Sequence, residues 1–142
     1  RKTGEEIEAS ILAGQLTLVP YDGAVKVETD INSLVTYTEN ISKVYRKNRI
    51  IRLCNTIAND IYQQFSKSFI GVVNNNEVGR ALFKSVIVGY LITVQNNQGI
   101  QNFDAEKDVE VLLGNDIDSV VINLAIQAVD ATEKIYMTIT VA

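Results

Sequence analysis

Residues 47–69 read KNRIIRLCNTIANDIYQQFSKSF, and their periodicity decides the fold class. Ile50, Cys54, Ile57, Ile61 and Phe65 recur at i, i+4, i+7, i+11 and i+15, and Leu53 and Ala58 widen the stripe. Arg52, Asn55, Asn59, Gln63 and Lys67 fall on the opposite side. The spacing predicts an amphipathic helix ending near Phe69, before Gly71. Cys54 lies on the apolar stripe with no basic partner placed to activate it, so it reads as a small buried hydrophobe.

Downstream, Asn74-Asn75-Asn76 reads as a loop leading into a second helix over residues 77–97, with Asn76 as its N-cap and Gly99 past its end. Val78, Leu82, Ser85, Gly89 and Ile92 share one face. Residues 86–94 are rich in β-branched side chains and apolar all round, which a buried strand would also allow; length decides for helix. A helix so apolar must be covered on more than one side, so its outer face reads as an interface.

The remainder alternates. Residues 109–113 lead into a turn at Gly114-Asn115-Asp116, and residues 119–129 place Val120, Ile122, Leu124 and Ile126 on one face. After a turn at 130–133, Ile135, Met137, Ile139 and Val141 face one way and Tyr136, Thr138 and Thr140 the other. This period-2 pattern predicts an antiparallel meander. Its last strand either lies inside its own sheet or is donated to a neighbour's edge.

Upstream, Thr3 and Glu6 fit a capping box ahead of a helix over 4–13 that Gly14 stops. Residues 16–19 and 24–28 flank Pro20-Tyr21-Asp22-Gly23, a hairpin signal. Residues 30–42 form an extended connector. The expected fold is α+β: two long helices packed on an antiparallel C-terminal sheet, with a small N-terminal helix and hairpin. The expected organisation is one domain over 1–142, with helix plus hairpin in 1–30, connector in 31–46, and helix pair and strands in 47–142.

Composition removes most chemistries. No histidine is present among the 142 residues, so Ser-His-Asp triads, Cys-His dyads and His-ligated metal sites have no place here. One cysteine allows neither an internal disulfide nor a cysteine-cage zinc site. With 13 basic against 17 acidic residues, the net charge of −4 argues against general nucleic-acid binding. The most apolar run is about half a membrane span. Phosphate-loop motifs are missing. Acids at Asp104, Glu106, Asp108 and Glu110 lack the central glycine and terminal glutamate of a calcium loop. The expectation is no enzyme, no metal and no cofactor; catalysis by carboxylates alone is the residual rival. Starting at Arg1-Lys2-Thr3 without an initiator methionine or secretion signal, the chain is expected to be a fragment of a longer protein.

Charge is polarised. Lys43, Arg46, Lys47, Arg49 and Arg52 stand without an acid among them, whereas residues 104–118 hold six acids against Lys107. Two solvated segments are the plain reading. A dipolar module whose opposite faces meet between copies is the sharper one. Arg80 and Lys84, one turn apart, either clamp an anionic partner or form the second helix's solvated side.

Several phrases carry a resemblance. Val27-Glu28-Thr29-Asp30-Ile31-Asn32-Ser33-Leu34, the block Lys47-Asn48-Arg49-Ile50-Ile51-Arg52 with Thr56-Ile57-Ala58-Asn59-Asp60-Ile61, Phe69-Ile70-Gly71 with Asn74-Asn75 and Gly79-Arg80, Ile100-Gln101-Asn102-Phe103-Asp104, Gly114-Asn115-Asp116 with Asp118-Ser119-Val120-Val121, and Glu133-Lys134-Ile135-Tyr136-Met137-Thr138 together resemble tail sheath proteins of contractile-tailed phages and phage-tail-like particles, including bacteriocins. The spacing is close to the Gram-positive, PBSX-like type, in its C-terminal region.

The resemblance implies a structural subunit that polymerises with other copies of itself around an inner tail tube protein and contracts to drive the tube through a target envelope. It places the protein in a virion or phage-tail-like particle assembled in the bacterial host cytoplasm, with no nucleic acid and no membrane insertion by this domain. It also implies strand exchange between subunits, here by Ile135, Tyr136, Met137, Thr138, Ile139, Thr140 and Val141. Arg80, Lys84, Arg46, Lys47 and Arg49 are then candidate contacts to tube or neighbour. One departure is that Val86, Gly89, Ile92 and Thr93 stand where the family's second helix usually alternates charges. The rival reading is a non-enzymatic peptide-binding module that captures strands on a sheet edge.

Overall fold

In the computed structural model, which describes residues 2–140, the chain divides into two compact units, Arg1–Arg52 with Asp130–Ala142, and Leu53–Val129. The first unit begins with α1 (Gly4–Leu12). Its capping box forms: the Thr3 backbone N–H donates to Glu6 Oε2 at 2.8 Å, and the Glu6 N–H to Thr3 Oγ1 at 3.3 Å. Strands β1 (Leu18–Tyr21) and β2 (Ala24–Val27) pair antiparallel with Val19 opposite Lys26. Asp22 and Gly23 both adopt positive φ, 48° and 75°, the twist that a two-residue hairpin turn needs.

The connector is tied down rather than free. Ile31 bridges Lys47, the Asn32 N–H donates to Arg46 O at 2.9 Å, and Asn32 Nδ2 donates to Tyr45 O at 2.9 Å. A 3₁₀ helix covers Lys43–Arg46. Asp30 accepts from Asn48 Nδ2 at 2.8 Å and pairs with Arg52. The Asn48 hydrogen bond, with Arg52 beside it, holds the Asp30 carboxyl below its ordinary value of 3.8.

A lowered carboxylate pKa contributes stability above the unfolded value, lost as pH falls through the folded one. Asp30→Asn keeps the side chain's shape and removes its charge. Its melting temperature is expected to lie below that of the unaltered chain near neutral pH, with the gap closing below about pH 4. Thermal denaturation followed by circular dichroism across that range checks this; a gap independent of pH would assign the loss to geometry alone.

Helix α2 (Asn48–Ser68) carries the chain into the second unit, where it and α3 (Glu77–Asn96) run antiparallel. The contacts reverse along them: Tyr90 donates to Asp60 Oδ2 at 2.6 Å, and Phe65 meets Phe83 with ring centroids 4.9 Å apart. Phe69 adds a second tilted pair with Phe83 at 4.6 Å. Burial and the hydrogen bond to Asp60 push the Tyr90 hydroxyl well above the ordinary tyrosine range. The core runs from Ile57 and Ile61 through Phe83, Ile87 and Leu91 to Ile100 and Val109. Cys54, expected to be a small buried hydrophobe, is half-buried.

Sheet structure is parcelled into two-stranded pieces. Strand β4 (Val109–Leu113) pairs with β5 (Val120–Leu124), and β3 (Ile100–Gln101) pairs with β6 (Gln127–Ala128). The single strand expected over 119–129 is thus broken: the Ala125 N–H turns to Asp108 O at 2.9 Å, and the chain changes partner from β4 to β3. Three helices with antiparallel strands give the α+β class that the sequence predicts.

Candidate assembly interface

Beyond β6 the chain runs through Asp130–Thr140 without joining any strand. Its base is fastened: Lys47 Nζ lies 3.0 Å from Asp130 Oδ2 and 2.6 Å from Glu133 Oε2. Burial alone lowers the Lys47 pKa, but the bonds to Glu133 and Asp130 outweigh it and hold the ammonium above the ordinary lysine value. From there outward Ile135, Tyr136, Met137 and Ile139 are exposed, Tyr136 at 90%; Thr138 and Thr140 are exposed too. The sequence predicts a strand here, whereas none of these six residues is in one. The physical reason is that a strand needs a partner edge, and no strand among the described residues pairs with this segment. Val141, the remaining residue of the expected strand, lies outside the described residues.

The five basic candidates part company. Arg49 is exposed. Lys47 is engaged as above. Arg46, expected on a solvated segment, is instead buried at 6% exposure, and its Nε and Nη2 find no hydrogen-bond partner among the described residues. Arg80 and Lys84 are half-buried rather than a solvated face. Arg80 Nη1 donates to Asn75 O and Oδ1, each at 3.2 Å, and Lys84 Nζ reaches Glu106 O at 3.4 Å. Asn75 Nδ2 in turn donates to Ile117 O at 2.9 Å and Ser119 O at 2.8 Å. The pair Arg80–Asn75 therefore steadies the tip of the β4–β5 hairpin, a role that spacing alone does not reveal.

The outer face of α3 is apolar. Val78, Leu82, Ser85, Gly89 and Ile92 are all exposed, while Phe83, Ile87 and Leu91 point into the core. The β1–β2 hairpin also exposes Leu18, Tyr21, Val25 and Val27, with Lys26 Nζ 4.5 Å from the Tyr21 ring centre. Both faces are candidates for an interaction surface.

The acidic loop is occupied with its own backbone. Asp108 Oδ2 accepts from the Asp104 N–H at 2.8 Å, and Asp104 Oδ1 from the Glu106 N–H at 3.0 Å. The Lys107 ion pair, followed by the amide bonds from Glu106 and Lys107, holds the Asp104 carboxyl below its ordinary value. Among the described residues no cluster of carboxylates and cysteine suits a metal ion, and no helix is long and apolar enough to cross a membrane.

The arrangement offers surfaces to bind with. Comparison with known proteins gives the family. The phage tail sheath C-terminal domain family matches residues 41–142. Two Bacillus subtilis proteins, YqbK and the phage-like element PBSX protein XkdK, are 39% and 37% identical over 84% of this chain. The chain spans only 27% of the length of either. Among solved structures, the sheath tail protein of Desulfitobacterium hafniense superposes with a TM-score of 0.82 at 38% identity, covering 96% of this chain and 32% of that one. The sheath tail protein of Listeria innocua follows at 0.79 and 32% identity, over 96% of this chain and 33% of its own. A family match over most of the sequence, and relatives at this identity over most of its length, place the chain in the phage tail sheath C-terminal domain family.

Proposed function

We propose that the chain is the C-terminal portion of a longer sheath subunit that polymerises around an inner tail tube and contracts to drive the tube through an envelope. The observation that carries this is the terminal segment: fastened at Lys47, then running outward with Ile135, Tyr136, Met137 and Ile139 exposed. An apolar, β-rich stretch without a partner of its own is stabilised by adding to a neighbour's sheet edge, where backbone hydrogen bonds supply affinity and alternate side chains supply register. Subunits joined through such strands rotate against one another without separating. Exposed Arg49 is the readiest of the basic residues to meet a tube, with Lys84 and Arg80 behind it. Assembly takes place in the host cytoplasm in this reading, and the finished particle is a phage tail or a tail-like bacteriocin.

Negative-stain electron microscopy of the full-length subunit, with and without residues 134–142, tests it. Hollow tubes are expected from the intact protein and are expected to vanish on truncation while circular dichroism stays unchanged. Tubes that survive truncation would remove the strand-donor role and keep the sheath reading. No polymer from the intact protein across a range of salt would favour a module that captures foreign peptide strands instead.

A further inference from the structure

Arg46 carries the buried side-chain nitrogens that lack a hydrogen-bond partner among the described residues. Removing a guanidinium from water costs several kcal/mol unless acceptors replace the lost hydration, yet its Nε and Nη2 have no acceptor among the described residues. It lines a recess of about 340 Å³ together with Thr29, Ile31, Lys43, Lys47, Ala131, Glu133 and Lys134. The two nearby acids, Asp130 and Glu133, are already paired with Lys47. What remains is a pocket with Ile31 buried beside it, more basic than acidic groups around it and an unsatisfied guanidinium.

A shape of opposite character stands on the same polypeptide. At the tip of the β4–β5 hairpin, Ile117 is 90% exposed between Asp116 and Asp118, both exposed. Neither aspartate has a side-chain ion pair among the described residues. The tip is rigid. Asp116 and Ser119 exchange hydrogen bonds of 2.9–3.0 Å, and Asn75 holds both Ile117 O and Ser119 O. A preformed projection loses little entropy on docking.

We propose that the tip Asp116-Ile117-Asp118 of one copy docks into the Arg46 recess of a second copy, with Ile117 entering the pocket and a flanking aspartate accepting from the guanidinium. The charge-assisted bonds satisfy Arg46 and the Lys43 and Lys134 rim sets the approach. Donor and acceptor surfaces differ, so the contact is head-to-tail and propagates into a ring or a helix instead of closing as a dimer. The inference rests on reading the chain as a polymerising subunit, and adds a side-chain lock to the strand link.

Disulfide trapping in the full-length protein tests it. Cys54→Ala removes the native thiol, and Ile117→Cys with Ala131→Cys places one thiol on the tip and one at the recess. Mild oxidation of assembled tubes is expected to give a ladder of dimers and higher species on a non-reducing gel, missing from either single variant. Adding Asp116→Asn and Asp118→Asn, both at exposed positions, is expected to cut the ladder about tenfold, the equivalent of one charge-assisted bond. Tubes without a ladder would overturn the docking while leaving the sheath reading in place. An internally bridged monomer would also overturn it, by placing tip and recess together within one copy. Failure of the unaltered protein to form tubes would take down both.

Discussion

Gly79→Ala is expected to destabilise the second unit by about 3 kcal/mol, at the upper end of what overpacking costs. A Cβ at Gly79 would fall 2.0 Å from the carbonyl oxygen of Asn74 and 3.0 Å from Val73 Cγ1. The obstacle is backbone, so no side-chain rotation relieves it. Nor is the loop free to shift: Asn76 Oδ1 caps α3 through the Gly79 N–H at 2.8 Å, and the neighbouring Asn75 holds Arg80 and the hairpin tip. Moving Asn74 strains the cap and the tip support together. Gly89→Ala in the same helix supplies the control. Nothing lies within 4 Å of the place its methyl group would occupy, and exchanging a mid-helix glycine for alanine stabilises by up to about 1 kcal/mol. Chemical denaturation is expected to move the two midpoints in opposite directions. Two upward shifts would show that helix propensity, not the Asn74 contact, governs this helix.

Gly89 lies on the exposed stripe with Val78, Leu82, Ser85 and Ile92. The stripe was legible because a helix with apolar residues nearly all round has to be covered twice, and the structure covers it once, through Phe83, Ile87 and Leu91. The capping box, the Asp22-Gly23 turn and the α2 stripe were equally legible, since each is written in residues a few positions apart. What escaped was tertiary. Strand β5 ends at Leu124 because Ala125 bonds to Asp108, a choice between edges that alternation over 119–129 does not encode. Arg46 sits in a run of basic residues and reads as solvated. Only the return of the connector at Ile31 and Asn32 beside the 3₁₀ helix shows otherwise. Arg80 shares a helical face with Lys84, but its partner Asn75 belongs to the preceding loop.

Thr138→Pro in the full-length subunit is expected to abolish tubes while leaving its melting temperature unchanged. Proline removes one backbone N–H and excludes the residue from the middle of a sheet. Within the chain Thr138 joins no strand and is exposed, so the fold loses nothing; a donated strand loses a ladder bond at its centre. Met137→Ser probes the other half of the link. Met137 is exposed in the single chain, and burying such a side chain against a neighbour is worth about 1.5–3 kcal/mol. Its loss is expected to raise the critical concentration for polymerisation by about ten- to a hundredfold, read by sedimentation across a concentration series. The pair distinguishes two kinds of attachment. If serine weakens assembly and proline does not, the segment docks by its side chains into a groove, and no strand is exchanged. If proline abolishes it outright and serine only shifts the threshold, the backbone ladder carries the joint and the side chains set its register, which is the division of labour a link must have to stay closed while subunits turn.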